Sequence, residues 1–482
     1  MDSLEIEEDS ESLVARAHPK ARPGAPRRAF RWLLVASWRS RCSALVTGGR
    51  RLVSGGAPNR LDRASLCAAG PRAPWPAGAG DSDASGDSGS VLSAAALVAG
   101  TTVGAGVLAL PAATAAAGFG LSSGVLLGAW AFMTTSALLV GESTVNAAHA
   151  LRRPGVGLLA TTELSLGSGV GRVAGACFAF IHYALLVAYI AQGGRILADG
   201  AGAPLVAGPL AFVAVFGGAV ALGTAGFVEK LNNVLVCFVI ASFVALVAVA
   251  APQFDAQRLA QAGDARAAFA AVPVSCLALV FHNVVPVVAE RLKGDLPALR
   301  TAVVAGSIVP LVMFLCWNGL VLGSVSDVSP GSDPVDALRN AADGSAMLGP
   351  IVSLFSEVAI ATSFFGFFYG LRSFLCDLFA VSDGPTLRWT TDLGLSALVL
   401  GPPLLVAATK PDVFLGALDV AATFGVTTLF GIVPAATVWR QRYGDEAPAV
   451  EPLVPGGRAT LAVMMAISSA VIIEGAADLV TR

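Results

Sequence analysis

Three stretches of this chain set polar or ionisable side chains inside long apolar runs. His282 and Asn283 interrupt Val272–Lys293, VPVSCLALVFHNVVPVVAERLK, with Phe281 before them and Pro286 one turn on. Glu357 lies in Ile351–Val381, just over a turn ahead of the adjacent hydroxyls of Thr362 and Ser363. Gly100, Gly104 and Gly106 interrupt Ser93–Gly120, SAAALVAGTTVGAGVLALPAATAAAGFG, among Thr101 and Ala105 and ahead of Pro111. Each stretch suggests a different chemistry. Histidine changes charge near neutral pH, so His282 can take up and release a proton; a histidine bonded to a freed carbonyl is the plainer alternative. Glu357 can relay a proton or neutralise a cation, and a salt bridge or snorkelled side chain explains it equally well. Paired hydroxyl oxygens suit a hard cation. The glycines weaken a helix, leaving bare N–H and C=O groups, and the half-helix that runs on from the break presents a positive N-terminal end. Close helix packing through small residues is the competing explanation for them.

These groups must be held by membrane-spanning helices. The chain is 55% hydrophobic and 13% charged, with a mean hydropathy of +0.72, whereas soluble domains carry roughly 25% charge. Eleven spans are expected: Val91–Gly118, Ser122–Ala148, Val173–Leu197, Pro204–Ala225, Leu231–Ala251, Val272–Glu290, Ala302–Gly323, Ile351–Val381, Leu393–Ala408, Val413–Trp439 and Ala459–Leu479. Most reach the roughly 20 apolar residues a bilayer requires. The ninth is short and holds Pro402 and Pro403. With the N-terminus inside, eleven Lys and Arg fall on the inner side against six outside, counted from Val91 and leaving out Arg372. That bias agrees with the positive-inside rule and with an N-in, C-out chain. The first and sixth spans are both broken near their centres, five spans apart. Interruptions at corresponding places in two halves are the mark of an inverted-repeat transporter with a midplane site. The fold expected is therefore all-α and polytopic: a 5+5 inverted repeat with broken helices 1 and 6, plus one extra C-terminal helix.

Residues 1–90 differ from the rest. After an acidic start through Glu11, the stretch Leu13–Gly80 is rich in Arg, Ala, Ser, Pro and Gly with Asp62 as its one acid. This is transit-peptide composition, although the acidic start is not. Asp81–Ser90, DSDASGDSGS, reads as a disordered linker. The expected division is a leader over 1–90 and a transmembrane domain over 91–482. The seven cysteines are spread singly, with no C-x-x-C pair, so neither a metal site nor a disulfide framework is expected. No cofactor is expected, and a net charge of −2 says nothing of nucleic acid.

The residues around the two breaks resemble a known family. AGTTVGAGVLALPAA is similar to the opening helix of the hydroxy/aromatic amino-acid permeases, tyrosine and tryptophan permeases of bacteria and plastids, within the amino acid–polyamine–organocation transporters. FHNVVPVVAERLKGDLPALRTAVVAGSIVPLV resembles their sixth and seventh helices, and ATSFFGFFYGLRSFLCDLF their eighth. PPLLVAATKPDVFLGALD and GGRATLAV resemble the closing segments. The likeness covers Val91–Leu479 and none of the leader. It implies secondary active transport of an amino acid, aromatic first and serine or threonine second, driven by protons. It adds weight to His282, through the family's Phe-His pair, and to Glu142, which is read as gating or pairing helices near the inner end. With the Arg/Ala/Ser-rich leader, the family's plastid members imply an organelle envelope, most simply the chloroplast inner envelope, with mitochondrial inner and plasma membranes as alternatives. The chain departs from the family at Asn283, where bacterial members often carry Gly, and at Glu290 and Asp419.

The expected site follows. The substrate carboxylate accepts N–H bonds around Gly104, Ala105 and Gly106. Its ammonium meets carbonyls freed near Thr101 and Phe281, and its side chain enters a pocket from spans three, six and eight. One or two of Phe281, Phe364, Phe365, Phe367, Phe368 and Tyr369 stack on an aromatic substrate, the rest packing the core or facing lipid. A valine at Gly104 or Gly106 is expected to fill the space the carboxylate needs. Proton symport through His282, with Glu357 behind it, is the favoured coupling; sodium at Thr362 and Ser363 is the alternative. Arg372 and Asp377 are read as structural. A channel would need a continuous polar line, and a membrane enzyme a catalytic constellation; His18, His149, His182 and His282 are too dispersed to supply one. A sensor that binds an amino acid without moving it fits the same fold.

Overall fold

The computed structural model describes Trp75 and residues 90–104, 106–325, 347–379, 381, 389–410, 413–444, 448 and 450–481. The expected leader therefore lies, but for Trp75 and Ser90, outside the described residues, and so does Ala105. Among the described residues the chain is helical throughout, with no strand. In chain order the main elements are α1 Val91–Thr102, α2 Gly106–Thr114, α3 Gly118–Leu151 and α4 Leu158–Ala201. Next come α5 Ala207–Leu222, α6 Ala225–Ala250, α7 Val272–Ala278, α8 Val285–Arg291 and α9 Leu296–Ser324. The last four are α10 Leu348–Phe379, α11 Trp389–Thr409, α12 Phe414–Tyr443 and α13 Gly457–Thr481. Eight helical stretches are long and apolar enough to cross a membrane, and three shorter apolar ones accompany them. This is an integral, multi-pass membrane protein.

Local chemistry explains the ends. Ser90 caps α1 by accepting from the Ser93 N–H, Thr224 caps α6 through the Phe227 N–H, and Asp295 caps α9 through the Ala298 N–H. Arg152 closes α3, and Gly202 closes α4, in the left-handed conformation. Some spans exceed their expected bounds. α4 begins at Leu158 rather than Val173, because residues 158–166 form a helical approach that Gly167 (φ 85°) bends into the span. α11 runs on both sides of the short apolar core read from sequence and carries Pro402 and Pro403 within it. Proline is tolerated in a span where neighbours and local adjustment re-satisfy the freed carbonyls. α12 widens into π-helix over Ala421–Ile432, a feature common at functional sites.

The buried layer is contiguous. It centres on large side chains without measurable exposure, including Trp317, Phe212, Phe314, Phe364 and Phe368. With lipid outside, the drive for this packing is close contact and interhelical hydrogen bonding rather than escape from water. Asn318 illustrates the latter: it accepts from Thr114 at 2.8 Å and donates to Ser122 at 2.9 Å, tying α9 to α2 and α3.

Candidate functional site

Two stretches of backbone at the centre are not helical. α1 stops at Val103, which is extended (φ −75°, ψ 100°) and gives its N–H to the Ala99 carbonyl. α2 restarts at Gly106, where the Val107 N–H reaches the Gly104 carbonyl at 3.2 Å. The hydroxyls of Thr101 and Thr102 fold back onto the carbonyls of Leu97 (2.8 Å) and Val98 (2.7 Å). The second break separates α7 from α8. It turns through Leu279 to Val284, with Val284 donating to Phe281 at 3.1 Å and Val285 to His282 at 3.3 Å. The two breaks meet: a Cβ placed on Gly106 would stand 2.9 Å from Ala278 Cα. One placed on Gly104 would collide with the Ser363 hydroxyl of α10. Both glycines are thus set against protein, so a side chain there would strike a neighbouring helix first.

Beside the breaks is a cavity of about 640 Å³. Its wall comes from α1, α4, α6, the α7–α8 break, α10 and α12, a wider set than the three spans expected. Thr101, Asn283, Thr362 and Ser363 supply polar groups to it. Phe178, Phe365, Phe367, Tyr369 and Phe430 supply rings. Of the aromatic run on α10, Phe364 and Phe368 turn away into the core with no measurable exposure.

The other expected residues lie elsewhere. Phe281 and His282 have no measurable exposure and are not part of the cavity wall. The His282 ring is stacked on Phe430 (centroids 4.6 Å apart, 28° between planes). Among the described residues neither of its nitrogens meets a partner at hydrogen-bond geometry, although the Met133 backbone lies toward the ring. Phe430 therefore stands between His282 and the cavity. Both Glu357 carboxylate oxygens are enclosed without a hydrogen-bond partner among the described residues, and Glu357 too is off the wall. Thr362 already gives its hydroxyl to the Ala359 carbonyl at 3.0 Å. Ser363 is hydrogen-bonded to the Tyr189 hydroxyl.

Sequence reasoning expected the third span, now α4, at the pocket but named no residue on it. Phe178, His182 and Leu185 line the cavity, and Tyr189 lies one further turn along at the Ser363 junction. Their spacing of four, three and four residues is one helical face, and that spacing was the available signal. Asn232 and Asn233 on α6 also reach the wall.

Away from the cavity, Glu142 pairs helices. Arg442 of α12 grips it through two hydrogen bonds of 2.6 Å, with 4% of the Arg442 side chain and 1% of the Glu142 side chain exposed. The Leu453 N–H adds a third bond to Glu142 at 2.8 Å. Asn146 and Gln441 extend the network at 3.3 Å. Arg372 binds Asp392 of α11 at 2.7 Å.

Known proteins are similar to this chain over most of its length. The tryptophan/tyrosine permease family matches residues 87–474. The tyrosine-specific transport system 1 of Haemophilus influenzae is 32% identical over 386 residues, which is 77% of this chain and 92% of that protein. The tyrosine-specific transport system 2 of the same organism is 31% identical, again over 77% and 92%. The tryptophan-specific transport protein of Pseudomonas aeruginosa is 28% identical over 74% of this chain and 88% of its own length.

Proposed function

We propose that this chain, which belongs to the tryptophan/tyrosine permease family, is a secondary transporter of an aromatic amino acid, tyrosine or tryptophan. The observation that carries the substrate class is the ring-lined cavity placed against two broken helices. A zwitterion has complementary groups there. The last carbonyls of α1, around Gly100 and Thr101, lack helical donors and suit the ammonium. The carboxylate is proposed at the positive start of α2, where Gly104 and Gly106 follow Val103 of the wall although neither lines the cavity itself. Asn283, Thr362 and Ser363 border the same space, and the rings of α4, α10 and α12 enclose the apolar end. The relatives' tyrosine and tryptophan transport supports this class over serine and threonine.

The proposed architecture has eleven spans, with α1–α2 and α7–α8 as the first and sixth, in two inverted halves of five and a final α13. The corresponding breaks support it. With the N-terminus inside, the cavity draws on the inner parts of the first and fifth spans, through Ala96, Leu97, Val228 and Asn232. The structure on this reading is the inward-facing member of an alternating-access pair. Transport then consists of rocking one bundle against the other around the bound amino acid.

For coupling, the proposal is proton symport. His282 remains the first choice and Glu357 the second, because each is an enclosed ionisable group that meets no partner at hydrogen-bond geometry among the described residues, and such groups in a span mark proton paths. Thr362 and Ser363, whose hydroxyls are already engaged, are the sodium alternative. The proposed location is the chloroplast inner envelope, on the composition of residues 1–90.

One experiment tests the reading: uptake of a labelled amino-acid panel by proteoliposomes under an imposed inward pH gradient, without sodium. Tyrosine or tryptophan should accumulate. His282→Ala should lose the accumulation and keep some counterflow. Competition by serine but by neither aromatic would overturn the substrate class. Sodium-dependent accumulation that survives an uncoupler would move coupling to Thr362 and Ser363. Absence of any exchange would favour a sensor.

A further inference from the structure

The proposed substrates share a feature that phenylalanine lacks: a hydrogen-bond donor on the ring, the indole N–H of tryptophan or the phenol O–H of tyrosine. A cavity walled by phenylalanines alone could stack any of the three rings and would tell them apart poorly. His182 alters that. It is buried at 6% exposure in α4 and forms part of the cavity wall. Phe178 stacks on it at 3.9 Å between centroids (30° between planes), and Phe367 packs at 4.9 Å. The imidazole thus continues the aromatic wall while carrying two nitrogens.

Their roles are set by what they face. Nδ1 is 2.7 Å from the Phe178 carbonyl oxygen, one turn back in the helix. A carbonyl only accepts, so Nδ1 carries the proton and donates. In the neutral ring Nε2 is then a bare acceptor. Nε2 makes no hydrogen bond among the described residues and is not one of the enclosed side-chain atoms left without a partner. It lies over the main chain of Gly370, where an added Cβ would stand 2.7 Å away. Gly370 is therefore the residue on α10 that leaves room for this ring position.

The geometry points to His182 as a specificity-determining residue, whose Nε2 accepts the ring N–H or O–H of the substrate and so selects tryptophan and tyrosine over phenylalanine. The inference rests on the aromatic-transport reading above. A site built around a substrate donor rejects an analogue without it strongly, because the buried acceptor is left unmet. The bond is distinct from the backbone contacts at the helix breaks, which all amino acids share.

The test is competition against labelled tryptophan in counterflow. The competitors are tryptophan, its benzothiophene analogue (sulfur in place of the indole N–H at similar volume), tyrosine and phenylalanine. In the unaltered protein the benzothiophene analogue and phenylalanine should compete about ten- to a hundredfold more weakly than tryptophan and tyrosine, the range of one unmet buried acceptor. His182→Phe keeps a ring between Phe178 and Phe367 and removes both nitrogens, so it should bring those ratios close to one. If that variant does not fold, Gly370→Ala decides instead, since it displaces the imidazole and should shrink the same ratios. Ratios near one in the unaltered protein would overturn the inference, as would large ratios unchanged by these substitutions. Both results differ from failure of the underlying reading, in which no aromatic amino acid would exchange at all.

Discussion

Gly104 and Gly106 should respond differently to the same small change. Alanine at position 104 sets its Cβ against the Ser363 hydroxyl, with the Ser363 Cβ next at 3.4 Å and, chain neighbours aside, no other atom of the described residues within 4 Å. The hydroxyl can rotate away, but only by giving up its bond to Tyr189, which is 3% exposed. An unmet buried hydroxyl costs about 1–3 kcal/mol, and Gly104→Ala should cost about that much. Ser363→Ala removes the obstructing oxygen and leaves the 3.4 Å neighbour in ordinary contact. The double variant Gly104→Ala/Ser363→Ala should therefore lose less than the two single losses added together, by about 1–2 kcal/mol of coupling. Alanine at 106 meets main chain instead, Ala278 Cα at 2.9 Å. Main chain cannot rotate aside, so the helices must part at a cost of about 1–3 kcal/mol, and Ala278→Gly should not restore it. Thermal unfolding of the solubilised protein, read beside counterflow, measures all five variants. Strict additivity of Gly104→Ala and Ser363→Ala would refute the contact, as would rescue of Gly106→Ala by Ala278→Gly.

Two other expectations are independent of transport. Glu142→Gln leaves the Arg442 guanidinium buried without its counter-charge and should destabilise the protein by about 3–5 kcal/mol, while Glu142→Gln/Arg442→Met should recover much of the loss; a single variant that melts like the parent would show that the pair does not join α3 to α12. Fused to a fluorescent protein, Met1–Ser90 should label plastids on imaging, whereas a wholly cytosolic signal would remove the targeting proposal and a mitochondrial one would redirect it.

The sequence by itself determined the class of molecule, an all-helical chain with several membrane spans, and the positions of its two interruptions. Each of these is one-dimensional. A span is a length of apolar residues. The break at Gly104 and Gly106 is written in residues that weaken a helix wherever it packs, and the break at His282 and Asn283 in polar groups mid-span. The polar residues worth considering were visible for the same reason, since each stands out against an apolar background. What only the tertiary structure decided is the direction each one faces. A span that is apolar on every side carries no alternation to show which face turns inward. His282 therefore stood out at its break and His182 did not, yet Phe430 separates the first from the cavity and the second forms its wall. Contacts between residues far apart in the chain were equally out of reach. Arg442 was one cation among those near the inner face until folding brought it 2.6 Å from Glu142. Gly104 and Gly106 suggested room for a ligand, and the fold sets them against Ser363 and Ala278, because helix rotation and crossing, which composition does not specify, determine what a missing Cβ admits.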